Sequence, residues 1–124
     1  MEIKFKLWLD KDGHTLFGEG REKLLKAIDE CHSLFGAAKQ LKMSYRAAWG
    51  KIKVTEKRTG IKLVETGDGK RMRLTEEARR LLDEFEQLQK DVDLFLRQRG
   101  MPFKLLKKME VEDSNHKGTL DKNI

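Results

Sequence analysis

Basic and aromatic side chains recur in the middle of this 124-residue chain at spacings that suit contact with a nucleic acid. One group would share the outward side of a helix beginning after Ser44: Tyr45, Arg46, Trp49, Gly50 and Lys53. An arginine can donate two hydrogen bonds to a guanine edge, whereas a lysine suits a phosphate or sugar. The spacing therefore indicates a base contact for Arg46 and a backbone contact for Lys53.

Two members of this group are unusual helix residues. Gly50 costs about 1 kcal/mol of helix stability relative to alanine, which indicates that something approaches the helix backbone closely there. Trp49 suits either a contact in a DNA groove or partial burial against its own domain, and the sequence does not separate these two roles.

A second basic group follows a glycine-rich turn. Ile61–Glu65 and Lys70–Leu74 have strand character and flank Gly67-Asp68-Gly69, which predicts a β-hairpin whose basic residues are Lys70, Arg71 and Arg73. Such a wing can contact phosphates or enter a narrow minor groove, or its tip can simply be solvated. Lys39 and Lys42 flank the preceding turn and are further candidates for backbone contact, with solubility as the ordinary alternative.

The charge distribution supports a polyanionic partner. The chain has 27 basic and 21 acidic residues, for a net charge of +6, yet residues 36–73 alone contain eleven basic and three acidic side chains. A concentrated positive surface gains affinity by displacing counterions from phosphates, although a solvated basic face has the same composition.

The elements that must position these groups follow from periodicity. Alternation of apolar and polar residues from Ile3 to Leu9, then Lys11-Asp12-Gly13 and Thr15–Phe17, predicts an N-terminal β-hairpin. Helical spacing predicts helices over residues 22–30 and 34–42. Ser44 is placed to cap a third helix that runs to about Arg58 and stops at Gly60. Ser44 is also a candidate for DNA contact, at the start of that helix. The predicted inward positions of that helix are Ala47, Ala48, Ile52 and Thr55.

A fourth helix begins after a predicted cap at Thr75 and ends near Gly100. Its apolar residues step by three and four: Ala78, Leu81, Phe85, Leu88, Val92 and Phe95. A helix of this length spans about 36 Å, more than so small a domain covers. We therefore expect Leu81, Phe85, Leu88, Val92 and Phe95 to contribute to a homodimer interface; the alternative is that the helix lies wholly on its own domain.

These predictions amount to an α+β fold, a winged helix-turn-helix with an N-terminal β-hairpin and a long C-terminal dimerisation helix. The predicted domains are a DNA-binding domain at 1–74, a linker and dimerisation helix at 75–99, and a tail at 100–124. In this tail, Phe103 to Val111 is apolar enough to dock, and residues 112–124 are polar.

Other function classes find little support. His14, His32 and His116 are far apart, without the paired acids or nucleophile motif that an enzyme needs. Cys31-His32 lacks the further ligands of a metal site, and Gly18-Glu19-Gly20 lacks the rest of a phosphate loop, so we expect no cofactor. No apolar run reaches membrane-spanning length, and the single cysteine cannot form an internal disulfide. We expect a soluble, cytoplasmic protein.

Several segments together resemble a known family. They are Lys6–Leu9, Asp12-Gly13, Phe17–Arg21, Leu24-Leu25, Ile28–Glu30, Ala37–Lys39 and, above all, Met43–Trp49. The combination of Phe-Gly-x-Gly-Arg with Ser-Tyr-Arg-x-Ala-Trp resembles the N-terminal DNA-binding domain of the ModE family of molybdate-responsive regulators, relatives of the LysR-type winged helices. The resemblance covers about residues 3–98.

This resemblance implies a homodimeric bacterial or archaeal transcription regulator that binds an inverted repeat in double-stranded DNA, with molybdate or metal transport genes as targets. Family members continue into small β-barrel domains that bind the oxyanion, so we expect no molybdate site within this chain. Thr55 and Thr59 stand where the family has apolar residues, and Ala78 stands where it often has glycine. The alternative function is a non-specific architectural DNA-binding protein or a winged helix used for protein contact.

Overall fold

A computed structural model describes residues 2–100, 103–106 and 109 of the chain. The elements follow one another in this order: β1 (Trp8–Lys11), β2 (His14–Gly18), α1 (Glu19–Cys31), α2 (Leu34–Gln40), α3 (Tyr45–Thr59), β3 (Val64–Thr66), β4 (Met72–Leu74) and α4 (Glu76–Arg99). The predicted α+β fold is confirmed: an N-terminal hairpin, a winged helix-turn-helix and a long fourth helix. Residues 6–89 form one compact unit, which contains the core described below.

The N-terminal hairpin is shorter than its alternation predicts. β1 and β2 pair antiparallel with a bulge between Leu9 and Asp10, and residues 2–7 lie outside the strand. The two residues at its turn, Asp12 (φ 51°) and Gly13 (φ 78°), have the positive φ values of a type I′ turn. Strand pairing starts at Trp8 because β2 offers only five residues, ending at Gly18.

Helix α1 begins earlier than predicted. Gly18 is extended and serves as its N-cap, so Glu19 and Gly20 already belong to the helix instead of separating it from the strand. Its buried face includes Leu24, Leu25 and Ile28, each at most 1% exposed. These side chains contribute to a core that also takes residues from β2, α2, α3, the wing and α4: Phe17, Ala27, Leu34, Ala37, Ala38, Ala48, Ile52, Leu63, Val64, Leu74, Ala78, Leu82 and Phe85.

The helix-turn-helix is built by two serine caps and three small residues. The Ser33 hydroxyl accepts from the Gly36 N–H, and the Ser44 hydroxyl accepts from the Ala47 N–H, both at 3.0 Å. The interface of α2 with α3 includes buried alanines at positions 37, 38 and 48, which let the two helix backbones approach closely. The prediction that Ala47 also faces inward is wrong, because it is exposed.

The end of α3 contains two threonines, Thr55 and Thr59. Gly60 (φ 73°) ends the helix as predicted. Thr55 is fully buried, and its hydroxyl accepts from the Arg21 Nε at 2.6 Å and donates to the Lys51 carbonyl at 2.8 Å. Burial, together with nearby Arg58, lowers the pKa of Arg21. A hydroxyl at position 55 therefore serves a half-buried guanidinium that an apolar side chain would leave unpaired.

Helix α4 enters the core through its first three turns. The Thr75 hydroxyl accepts from the Ala78 N–H at 3.1 Å, which confirms the predicted cap. The inward positions are Ala78, Leu82 and Phe85, and the Phe85 ring lies 4.9 Å from that of Phe17, edge to face. The sequence pattern had placed Leu81 rather than Leu82 in this row. Gly100 (φ 74°) follows the helix end, and most of the predicted tail lies outside the described residues.

Candidate nucleic-acid interface

The outward face of α3 carries the predicted contact residues together. Tyr45 is 52% exposed and Trp49 is 37% exposed, and Ser44, Arg46 and Lys53 are also exposed. The buried residues of the same helix lie on its other side, so the core fixes the orientation of this face. An exposed helix face with one arginine, one lysine and two aromatic rings has the hydrogen-bond donors and apolar surface that base edges require.

Gly50 leaves open space beside the helix. No atom from elsewhere in the described structure lies within 4 Å of the position that a β-carbon would occupy there. Packing within the chain therefore gives no reason for a glycine at this position, and the open space is available to a partner.

Trp49, Lys53 and Glu56 form a connected group along α3. The Lys53 ammonium lies 4.5 Å from the centre of the Trp49 ring and 3.4 Å from Glu56 Oε1. The other carboxylate oxygen, Oε2, accepts from the Leu63 N–H at 2.7 Å, just before β3 begins. Trp49 thus both packs against a neighbour and stays partly exposed, and Glu56 is a site residue that the sequence reasoning missed. The i, i+3 spacing of Lys53 and Glu56 was the available signal.

The wing is a short, tightly turned hairpin. β3 and β4 pair Val64 with Leu74 and Thr66 with Met72, and a single 3₁₀ turn at Asp68–Lys70 joins them. Gly69 (φ 68°) and Lys70 (φ 61°) both take left-handed conformations in that turn. Strand β3 begins and ends later than predicted, because Ile61–Leu63 connect α3 to the hairpin instead of pairing. Strand β4 begins two residues later than predicted and ends at Leu74 as predicted.

The three basic residues predicted on the wing differ in their surroundings. Arg73 Nε donates to Glu65 Oε1 at 3.0 Å, across the two strands. Lys70 and Arg71 are exposed and, among the residues that the structure describes, no carboxylate lies within 4.0 Å of either. The wing therefore presents two unpaired cations at its turn and one cation that is already paired.

Backbone hydrogen bonds fix the wing against the helices. The Met72 N–H donates to the His32 carbonyl at 3.0 Å, and the Thr75 N–H donates to the Leu63 carbonyl at the same distance. Between α3 and the wing lies a cleft of about 200 Å³, whose lining includes Trp49, Lys53, Val64 and Met72. The two predicted contact regions, α3 and the wing, therefore meet at one surface.

The remaining predicted residues lie around this surface or on α4. Lys39 is exposed on the last turn of α2. Of the predicted dimer residues, Leu88 and Phe95 are 42% and 63% exposed, and Leu81 and Val92 are half-buried. Phe85 is only 3% exposed and packs in the core of its own domain, so it has almost no surface left for a partner.

Two other kinds of site receive no support from the geometry. Within residues 2–100, 103–106 and 109, no group of three or more His, Cys, Asp or Glu side chains is arranged to hold a metal. The Cys31 thiol donates to Gln40 Oε1 at 3.1 Å. None of the described helices combines the length and apolar character needed to cross a membrane.

The helix-turn-helix is similar to a known family. Residues 22–79 match the sequence model of a family described as bacterial regulatory helix-turn-helix protein, lysR family. The matched segment runs from within α1 to the start of α4 and so includes the helix-turn-helix and the wing, and the family's description is that of a regulatory protein. No curated protein matches the chain.

Two of the solved structures that are similar to this chain are DNA-binding domains. One is the DNA-binding domain of BenM with benA site 1 DNA, at 24% identity and a TM-score of 0.50, covering 65% of this chain and 91% of that one. Another is the DNA-binding domain of CbnR in complex with DNA, at 23% identity and a TM-score of 0.49, covering 60% and 85%. The likeness to the BenM domain agrees with the winged helix-turn-helix architecture.

Proposed function

We propose that this chain is a transcription regulator that binds double-stranded DNA with sequence preference. The observation that carries the proposal is the joint surface of α3 and the wing, where Arg46 and Arg71 are exposed without an internal carboxylate partner among the described residues. The LysR-type segment at residues 22–79 supports it, and so does the presence of DNA with the similar BenM domain.

In this proposal α3 enters the major groove with its N-terminal turns against the bases. Arg46 donates to a guanine edge, Tyr45 and Trp49 contact bases or sugars, and the open backbone at Gly50 allows close approach. Ser44 and Lys53 contact the phosphate backbone or sugars at the two ends of this face. These assignments rest on residue type and exposure.

The wing and α2 hold the protein in register on the duplex. Lys70, Arg71 and Arg73 contact phosphates or the adjacent minor groove, and Lys39 contacts the backbone beside the turn. Because Arg73 is paired with Glu65, it contributes less to affinity than the unpaired Arg71.

We further propose that the protein acts as a homodimer through α4. The exposed apolar side chains Leu88 and Phe95, with Val92 between them, provide the surface, while Phe85 serves the core. A dimer would bind an inverted repeat with half-sites about one helical turn apart. Sedimentation at micromolar concentration tests this: a 14.5 kDa species would contradict the dimer.

The resemblance to molybdate-responsive regulators suggests molybdate or metal transport genes as targets. It rests on the Phe17–Arg21 and Met43–Trp49 segments, of which the first lies outside the matched family region and the second inside it. With no molybdate site expected in this chain, any response to molybdenum would need another chain or regulated expression.

The first test is selection from random duplexes with the purified protein at about 150 mM salt, where non-specific binding is weak. Enrichment of an inverted repeat is the expected result. Retention without an enriched sequence would favour an architectural DNA-binding protein instead. If no duplex were retained, a protein partner would replace DNA as the hypothesis.

A further inference from the structure

The basic segment at residues 36–73 contains three acids, and one of them joins α3 to the wing. Glu56 is the single acid of α3, and its side chain is only 15% exposed. One carboxylate oxygen accepts the Leu63 N–H at 2.7 Å, and the other lies 3.4 Å from the Lys53 ammonium. Glu56 therefore holds a backbone group of the wing connection and a cation of the candidate interface at the same time.

Lys53 is consequently not a free cation. It lies between the carboxylate of Glu56 and the face of the Trp49 ring, whose centre is 4.5 Å from its nitrogen. Arg46 on the same face and Arg71 on the wing have no carboxylate within 4.0 Å among the described residues. A phosphate approaching Lys53 therefore meets a charge that a carboxylate already partly neutralises, whereas one approaching Arg71 meets a cation without a carboxylate partner among the described residues.

We propose that Glu56 competes with a DNA phosphate for Lys53 and thereby lowers the affinity for duplexes of any sequence, while it attaches α3 to the wing. This inference rests on the proposed DNA binding. It identifies Glu56 as the residue that limits the electrostatic, sequence-independent part of the affinity. Phosphate contacts supply affinity without sequence information, and the base contact proposed for Arg46 does not depend on Lys53. Glu56 thus weakens specific and non-specific binding by a similar factor, and the base contacts set the ratio between them.

The test uses Glu56→Gln, measured by fluorescence anisotropy with a labelled random-sequence duplex. Glutamine keeps a carbonyl acceptor for the Leu63 N–H but loses the negative charge that holds Lys53. We expect about two- to fivefold tighter binding, the size of a released surface ion pair. The slope of log affinity against log salt should steepen by about one unit as one more phosphate is neutralised.

Asp68→Asn is the matched control. Asp68 belongs to the same basic segment and is exposed in the wing turn, and no ion pair to it occurs within the described ranges. Its replacement changes the net charge by the same amount without releasing Lys53. We expect a smaller gain in affinity and an unchanged salt slope. Equal gains and slopes for the two variants would overturn the proposal, because net charge alone would then explain them.

A double variant localises the effect. In the Lys53→Ala background, adding Glu56→Gln should change the affinity no more than Asp68→Asn does. If the full gain persisted without Lys53, competition for that lysine would be refuted.

A second comparison does not depend on Glu56→Gln folding. Lys53→Ala should lower the affinity and the salt slope less than Arg71→Ala does, because only Lys53 already has a carboxylate partner. An equal or larger loss for Lys53→Ala would overturn the proposal. Retention of duplexes without sequence preference would reject the specific regulator alone, whereas a wild-type protein that retained no duplex would reject both proposals.

Discussion

Helices α1 and α3 both pack one apolar face against the core, but they carry different charges on their outer sides. Each buries one apolar face against the common core, through Leu24 and Ile28 in α1 and through Ala48 and Ile52 in α3. Helix α1 carries three basic and four acidic residues, whereas α3 carries five basic residues and one acid. Burial therefore accounts for the inner sides of both helices, and the difference lies on their outer sides.

The charges of α1 are largely satisfied within the protein. Lys23 lies 2.8 Å from Glu19, and the hydrogen bond between them lowers the pKa of Glu19 and raises that of Lys23. Lys26 pairs with Glu86 at 3.1 Å, and Asp29 pairs with Arg79 at 2.7 Å. These contacts stabilise both charged forms and leave little positive potential for a partner.

The charges of α3 are mostly left unpaired. Among the described residues, the ion pair of Lys53 with Glu56 is the only one that a cation of this helix makes. Like charges on one helix repel each other, so an unpaired basic face reduces the stability of the isolated domain. Under the proposed function, the outer side of α1 would serve stability and that of α3 would serve binding, and the following variants test this contrast.

Leu24→Ala should have the largest effect, and it should fall on stability. Leu24 is 1% exposed, and truncation of a buried leucine costs about 2–5 kcal/mol through lost burial and the cavity left behind. Urea unfolding measures the loss. Binding by the folded fraction should be unchanged, and Lys23→Ala on the exposed side of the same helix is the control. A loss of DNA affinity in fully folded Leu24→Ala would contradict the division of roles.

Arg46→Ala should affect binding instead. We expect it to cost about 1–3 kcal/mol with the selected duplex and to relax the preference at one base position, because a bidentate base contact is lost. Anisotropy titrations with the selected duplex and with base-substituted duplexes measure both effects. Urea unfolding should give a free energy close to that of the wild type.

Lys57→Ala is the matched control for Arg46. It lies eleven residues further along α3, three turns away on the same face, and removes the same charge. Recognition helices contact base edges with their N-terminal residues, so Lys57→Ala should leave the preference intact. If both variants weakened the binding of all duplexes equally, Arg46 would be a phosphate contact.

Gly50→Ala should stabilise the fold and weaken DNA binding. Alanine in place of a helical glycine raises the unfolding free energy by about 1 kcal/mol, and open space beside Gly50 accommodates its methyl group. Binding should weaken because the backbone can no longer approach DNA as closely. Unfolding and anisotropy measurements on the same preparation test both signs; tighter binding would show that Gly50 is not at the contact.

Local signals in the sequence predicted much of the fold. The capping hydroxyls of Ser44 and Thr75 and the positive φ of Gly60 act within four residues of the helix end concerned, so residue type is enough to locate them. Periodicity gave the existence and order of the helices. It gave the exposed side of α3 as well, because three buried positions fix the opposite side.

Features that depend on distant partners were not predictable in the same way. Strand β1 could not be limited to Trp8–Lys11 without knowing how few residues of β2 pair with it. A three–four spacing fits Leu81 as well as Leu82, and only the position of the core decides between them. The contact from Glu56 to the Leu63 N–H likewise depends on where the wing connection returns to α3.

The smallest expected effect on stability comes from a comparison of two arginines, Arg79, which pairs with α1, and Arg71, which lies on the wing. Arg79 pairs with Asp29 of α1 through hydrogen bonds of 2.7 and 3.2 Å, and both side chains are more than one-third exposed. Arg79→Ala should therefore lower the unfolding free energy by only about 0.2–1 kcal/mol, since solvent screens an exposed pair.

Arg71→Ala removes the same charge from the wing and should affect DNA binding instead of stability. With no carboxylate partner among the described residues, its loss should leave the unfolding free energy nearly unchanged but reduce the salt slope of DNA binding by about one unit. Arg79→Ala should keep the wild-type slope. Because the two variants have equal net charge, a common change in slope would mean that total charge governs binding, and the contrast between α1 and the α3–wing surface would have no functional meaning.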